Sequence, residues 1–255
     1  MGFEYIIYEK EEGIATIKLN RPQVLNAMIK PMWVEFQEAL EDVENNPEVR
    51  VLIITGEGRA FSTGADLKES KDRSIEDYRD YIEELQEASR KLIRFEKPTI
   101  AAINGYAVGS GYELSLACDI RIAAEEAKIG SSEARVAASL TGGAMKLVQD
   151  LIGPAKAKEL IFTAEYIDGK EAERIGLVNK AVPLDRLMEE AREMARKIMR
   201  NSAFSIKMMK KALNLARGEM SLEALMDFET EVGLACVFSK ERRERLEAFE
   251  SRKRS

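Results

Sequence analysis

Thr99-Ile100-Ala101-Ala102-Ile103-Asn104-Gly105-Tyr106-Ala107-Val108-Gly109-Ser110-Gly111-Tyr112-Glu113-Leu114 is the stretch that decides the fold. Residues 99–103, just after Pro98, form an unbroken run without polar alternation, as in a strand covered on both faces. A glycine-rich turn follows, and 112–118 reads as a helix. Buried strand, glycine turn and helix make up the unit of a parallel α/β sheet.

The unit has an upstream counterpart. Residues 49–55 are a second continuous apolar strand, 56–64 a glycine-bearing loop, and Asp66 stands near the start of a helical stretch. Before it, 5–9 and 14–19 alternate around Glu11-Glu12-Gly13 as a hairpin. The spacing of Met32, Trp33, Phe36, Ala39, Leu40 and Val43 predicts an amphipathic helix over 31–43. A long charged helix is expected over 74–95, with Tyr78, Ile82, Leu85 and Ile93 as its inner stripe. Downstream, 120–123 and 128–130 read as short strands. Strand and helix alternate to residue 182, and from 184 onward only helices are expected: 184–200, 203–217, 221–238 and 240–252. The expected division is a core over 1–195 and a helical region over 196–255.

Composition narrows the chemistry. The chain has 255 residues, enough for a large core, and is 45% hydrophobic and 33% charged, a globular balance. No apolar run approaches the roughly 18–20 residues of a membrane helix. Glu4 stands where a signal peptide carries base, so cytoplasmic residence is the expectation. A net charge of −6 disfavours nucleic acid as the main partner. The acids interleaved in Glu241-Arg242-Arg243-Glu244-Arg245 make that run a solvated or subunit-facing surface. Cys118 and Cys236, far apart and in no CxxC pair, read as free thiols. There is no histidine, which removes Ser-His-Asp and Cys-His triads and HExxH zinc sites; two cysteines cannot make a Cys₄ site. Proton chemistry falls to carboxylates, Lys, Tyr or Cys, helped by backbone dipoles, and no metal is expected.

The glycine turns do not match nucleotide fingerprints. After Gly109-Ser110-Gly111 the third glycine of GxGxxG would stand at Leu114, and no GxxxxGK[ST] occurs. A glycine turn into a helix has another use. Its first N–H groups lack internal partners and can hold an oxyanion. Phe61-Ser62-Thr63-Gly64-Ala65-Asp66-Leu67 and 105–113 both have this form. Either alone is also compatible with an ordinary strand-to-helix turn; the pair points to a site.

These residues resemble a known family. Leu19-Asn20-Arg21-Pro22 with Leu25-Asn26-Ala27-Met28, then Phe61 through Glu69, then Asn104 through Leu114 with Cys118-Asp119, are similar in order and spacing to the motifs of the crotonase (enoyl-CoA hydratase/isomerase) superfamily. The likeness continues through 153–160 and Gly176-Leu177-Val178-Asn179, and loosely at Glu247-Ala248-Phe249. It implies an α/β fold, a spiral of ββα turns with a C-terminal helical region that trimerises, giving a homotrimer or a homohexamer built as a dimer of trimers. It implies an acyl-CoA thioester as substrate, with CoA part of that substrate and no separate cofactor. The thioester oxygen would accept from the N–H groups of Ala65 and Ser110, the latter standing where the family usually has glycine. Leu25, Ala27 and Met28, with Ala65, Asp66, Leu67, Lys68 and Gly109, would bind the CoA moiety and thioester. Lys68 is read either as a phosphate contact or as a surface lysine. The pocket walls are expected from residues 66–81 and the C-terminal helices.

Acids set the reaction within the family. Hydratases carry two glutamates. Glu113 matches the first, and Glu133 in Gly130-Ser131-Ser132-Glu133 matches the second, with Ser132 where proline is usual. The place of the isomerase acid, before Gly142-Gly143, holds Thr141. The pattern implies hydration of trans-2-enoyl-CoA to 3-hydroxyacyl-CoA. Glu113 would take the water proton and Glu133 would protonate the α-carbon. Two carboxyls sharing one water should titrate apart. Rival readings are an isomerase, thioester hydrolase or decarboxylase of the same fold, an RNA- or protein-binding module, and a structural oligomer.

Overall fold

A computed structural model of the chain describes residues 2–70, 74–218 and 220–254. Strands β1 (Ile6–Glu11), β2 (Ile14–Leu19), β3 (Val51–Gly56), β4 (Ala60–Ser62), β5 (Thr99–Ile103), β6 (Tyr106–Val108), β7 (Ile120–Ala124), β8 (Lys128–Gly130) and β9 (Lys180–Val182) form two sheets among the described residues. The larger has the order β1-β2-β3-β5-β7-β9 and the smaller β4-β6-β8. Among the strand pairs of the described residues, only the β1–β2 hairpin is antiparallel. The helices are α1 (Lys30–Asn45), α2 (Leu67–Ser70), α3 (Ile75–Arg94), α4 (Ser110–Ala117), α5 (Ala144–Thr163), α6 (Gly169–Arg174), α7 (Leu187–Met199), α8 (Ala203–Leu215), α9 (Leu222–Val237) and α10 (Lys240–Arg254).

The unbroken apolar strands are explained by a sheet packed on both sides. Val51 and Ile53 of β3, with Ile100 and Ala102 of β5, face Leu187, Ala191 and Ala195 of α7. Leu52, Ile54, Ala101 and Ile103 alternate to the other face and join the main core of α1, α3 and α4. Each such Val, Leu or Ile side chain removed from water contributes about 1.5–3 kcal/mol. From β3 onward the chain repeats one path: a strand of the large sheet, a short strand of the small sheet, then helical structure. The small strands run parallel, with a register shift between Ala60 and Ser62 that brings Ser62 beside Ala107, and with Val108 beside Gly130. Their C-terminal ends therefore open on the same edge, and successive turns deliver residues there.

The structure shifts several sequence expectations. β3 starts at Val51, where pairing with Ile14 begins; Val49 bonds back to Asn46 in the turn instead. The hairpin turn is Glu12-Gly13, both at positive φ, and Tyr5 lies outside β1 with its N–H on Glu35. β4 and β6 lie within stretches read as loop and glycine turn, because three-residue strands are too short to show a period. In α3 the inward stripe is Tyr81, Leu85, Ala88 and Leu92, whereas Tyr78 is 41% exposed and Ile82 and Ile93 are only partly buried. Small Ala88 and Ser89 carry the close packing there, which a search for large apolar residues passes over. Residues 66–81 are not one helix: α2 ends at Ser70 and α3 begins after the Ser74 capping box, with 71–73 outside the described residues.

α7 packs on the large sheet, whereas α8 is joined to the core through buried Lys210, which donates to Asp119 Oδ2 at 2.7 Å and to the Lys97 carbonyl at 2.9 Å. Cys118 is free and buried, and Cys236 is free and half-buried. Among the described residues no helix is long and apolar enough to cross a membrane.

Candidate active site

The first strand-to-helix loop, after β4, carries Ala65. Met28 and Ala65 form an isolated parallel bridge, in which Met28 N–H donates to Gly64 O at 2.7 Å and Asp66 N–H donates to Met28 O at 3.0 Å. In that geometry the neighbours of Ala65 face Met28 and Ala65 N–H points to the opposite edge. The second loop, after β6, carries Ser110 at the head of α4. The first in-helix donor is Glu113 N–H, to Gly109 O at 3.0 Å, so Ser110 N–H lies in the unpartnered first turn. Glycines bring the two loops together. A Cβ on Gly64 would lie 2.9 Å from Ser110 N, and one on Gly111 would lie 2.4 Å from Ser62 O. The unusual backbone falls on Gly109 (φ 55°, ψ −132°), not on Ser110, so the serine occupies an ordinary helical position.

The third loop, after β8, carries Glu133 in a single 3₁₀ turn, Glu133–Val136. A Cβ on Gly109 would lie 3.3 Å from Glu133 Oε1, placing that carboxyl beside the head of α4. Arg135, on the same turn, donates to the Ala164 carbonyl and lies 4.6 Å over the Tyr166 ring. Glu113, one turn into wholly buried α4, is 2% exposed. Its carboxylate accepts from Thr141 N–H and lies 3.2 Å from Thr141 Oγ1. Gly142 N–H donates to Gln86 Oε1 at 3.0 Å, so α3 holds the loop that holds Glu113. At the far end of α4, Arg121 Nη1 donates to the carbonyls of Cys118 at 2.7 Å and Ser115 at 3.4 Å.

These groups line one cavity of about 440 Å³, with Ala65, Gly109, Ser110, Glu113, Glu133 and Thr141 around it and Leu67, Tyr78, Tyr81, Ile82, Leu85 and Val136 forming an apolar wall. That volume suits a small organic ligand. The wall comes from α2, α3 and the 3₁₀ turn. Among the described residues, none that line this cavity belongs to α7–α10, whereas the sequence expectation placed C-terminal helices in the pocket wall.

Burial pushes the Glu113 carboxyl up to about 7 from an ordinary 4.5; the charge of Glu133 adds to the rise, while hydrogen bonds from Thr141 and Ser110 oppose it. Desolvation, rather than repulsion between the two acids, is the main cause. Between about 4.5 and 7 the unfolded chain loses this proton before the folded one does, so the group destabilises the fold increasingly as pH rises, to about 3 kcal/mol above pH 7. Glu113→Gln is expected to raise Tm at pH 8 and to lose that gain below pH 4.5. Calorimetry at the two pH values checks this; an equal shift at both would show that ionisation is not what costs stability.

Of the expected CoA- and thioester-contacting residues, Ala65, Leu67 and Gly109 line the cavity. Leu25, Ala27 and Met28 do not; they lie one bridge away, and the Met28 side chain is fully buried in the core. The Asp66 carboxylate is 3.1 Å from Arg21 Nη1, which also donates to Ala27 O at 2.6 Å, and Lys68 is exposed at the start of α2. Ser131, Arg135 and the hydrogen bonds of Thr141 carry no sequence signal of function, since hydroxyls and arginines in loops are ordinary.

A family model described as enoyl-CoA hydratase/isomerase matches residues 9–255. The chain is 36% identical to a crotonyl-CoA hydratase of Syntrophomonas wolfei, over 98% of this chain and 96% of that one. It is 37% identical to a short-chain-enoyl-CoA hydratase of Clostridium acetobutylicum, over 98% and 95%. Its fold superposes on the crystal structure of an enoyl-CoA hydratase from Bacillus anthracis with a TM-score of 0.94 at 35% identity, covering 98% of this chain and 97% of the other.

Proposed function

The chain belongs to the enoyl-CoA hydratase/isomerase family and is an enzyme of enoyl-CoA hydration, and from that premise we propose how its own residues carry the reaction. The thioester oxygen of a trans-2-enoyl-CoA accepts from Ala65 N–H and Ser110 N–H. Electron density drawn to that oxygen makes the β-carbon electrophilic and stabilises the enolate that forms as it is attacked. Glu113 takes a proton from water as the water oxygen bonds to the β-carbon, and Glu133 gives a proton to the α-carbon. The product is the 3-hydroxyacyl-CoA, and water is consumed. No metal or separate cofactor takes part; CoA arrives as part of the substrate. The bend at Leu25–Met28, joined to Ala65 by its bridge, holds the CoA moiety with Ala65–Lys68, and Lys68 meets a phosphate.

The observation that carries this reading is the convergence of two outward-facing amides and two carboxyls on one cavity. The test is to mix the protein with trans-2-butenoyl-CoA and follow the loss of enoyl-thioester absorbance, with product mass measured. Gain of one water is expected. Formation of trans-2-enoyl-CoA from 3-enoyl-CoA without hydration would favour the isomerase, although Thr141 stands where that reaction's acid would be. Hydrolysis or decarboxylation would give products without the added water. No change in absorbance, with salt-sensitive RNA binding, would favour a binding module.

The raised Glu113 carboxyl predicts a pH profile. As a base it must be ionised, so kcat/KM is expected to fall as pH drops below about 7; because Glu133 must carry a proton as the acid, the profile is expected to bend down again at high pH instead of levelling off. A profile flat from pH 5 to 8 would remove Glu113 from that role.

The same reading makes the protein a cytoplasmic homotrimer or dimer of trimers. Exposed Leu213, Leu222, Met226, Val237 and Phe238 on and beside α8 and α9 support an interface there, and sedimentation reads the state directly.

A further inference from the structure

We propose that Ser131 is a positioning residue that fixes which oxygen of Glu133 faces the substrate. The inference rests on the reading that Glu133 protonates the α-carbon. Ser131 follows β8 directly and is 1% exposed, and its hydroxyl donates to Glu133 Oε2 at 2.5 Å. The backbone leading to it is held on both edges. Val108 pairs with Gly130 on one side; on the other, Ile129 and Ile167 exchange hydrogen bonds of 2.9 and 3.0 Å. Ser131 is therefore a fixed donor, and the Glu133 side chain turns to meet it.

With Oε2 occupied, Oε1 is the oxygen left free to carry the transferable proton. That is also the oxygen beside Gly109, 3.3 Å from where a Cβ there would stand, at the head of α4. The proton is thus presented next to the amide that polarises the thioester, on one face of the substrate. In the step the Glu133 Oε1–H bond breaks and the α-carbon–hydrogen bond forms. The Ser131 O–H bond stays intact, and its hydrogen bond holds the carboxylate left behind.

The neighbouring backbone shows why a side chain is needed. Ser132 adopts φ −111°, outside the range a proline ring allows, so ring rigidity does not orient this turn. Arg135 anchors the far end of the turn, on the Ala164 carbonyl and the Tyr166 ring, but does not touch the Glu133 carboxyl among the described contacts. Ser131 supplies the orientation at the carboxyl itself.

The test uses the full-length parent and Ser131→Ala, with trans-2-butenoyl-CoA, in water and in D₂O. In the alanine variant kcat is expected to fall roughly 10- to 100-fold with KM within about twofold, as for a reacting group displaced rather than removed. In D₂O, the share of product with deuterium on the wrong face of the α-carbon is expected to rise. Should the alanine variant not fold, Ser131→Gly also lacks the hydroxyl and gives the same readouts. A kcat within twofold of the parent overturns the proposal, and so does a lowered kcat with unchanged facial selectivity, which would mark a merely structural serine. If the parent itself does not hydrate the substrate, the function proposed above fails; if the parent is active and the variant matches it, only the role of Ser131 does.

Discussion

Glu133→Gln is expected to lower the turnover of trans-2-butenoyl-CoA by roughly 10²–10⁴, the usual weight of a positioned acid–base group. Glutamine keeps the shape of the side chain, and its carbonyl oxygen can still accept from Ser131, so KM and Tm should change little. What it lacks is a transferable proton. The loss therefore reports chemistry, not folding. Hydration at the parent rate in this variant would withdraw the assignment. Adding Glu113→Gln should cost far less than the product of the two single losses, because both groups serve one concerted addition.

Ser110→Pro is expected to lower kcat by roughly 10²–10³, the cost of losing one oxyanion donor. Proline at this position removes the amide hydrogen while leaving the helix intact. Ser110 is the first residue of α4, where proline is well tolerated because its missing N–H has no helical acceptor in any case. Gly109 precedes it in a conformation, φ 55° and ψ −132°, far from the helical region that proline forbids to its predecessor. Ser110→Gly, which keeps the N–H, separates the amide from the hydroxyl. Loss of activity in the proline variant with retention in the glycine variant is the expected pair of results. Equal kinetics in the two variants would remove this amide from the site.

The two buried strands were legible because their covering on both faces leaves a sequence mark: runs without polar alternation, as in 99–103. The lack of histidine left carboxylates, Lys, Tyr and Cys as proton carriers, and the family resemblance singled out two carboxylates among them. β4 and β6 were not legible. Three residues such as Ala60–Ser62 show no period, and they become strands only because a parallel neighbour is there to accept their hydrogen bonds. The inner face of α3 was read correctly only at Leu85, for a similar reason: Ala88 and Ser89 pack closely by being small, and smallness leaves no hydrophobic signal.

The buried strands with the helices that follow them and the absence of imidazole chemistry were determined by the amino-acid sequence, because each depends on residue type and near-neighbour spacing; Glu113 and Glu133 were marked as the acids to examine by the family resemblance of the motifs around them. The tertiary structure alone decided that Ala65 N–H points away from its bridge, that Ser110 escapes a strained backbone, that Thr141 and Ser131 hold the two carboxyls, and that burial is what pushes Glu113 up to about 7. Orientation and dielectric surroundings are properties of what lies across space from a group, and the residues responsible here come from separate turns of the chain.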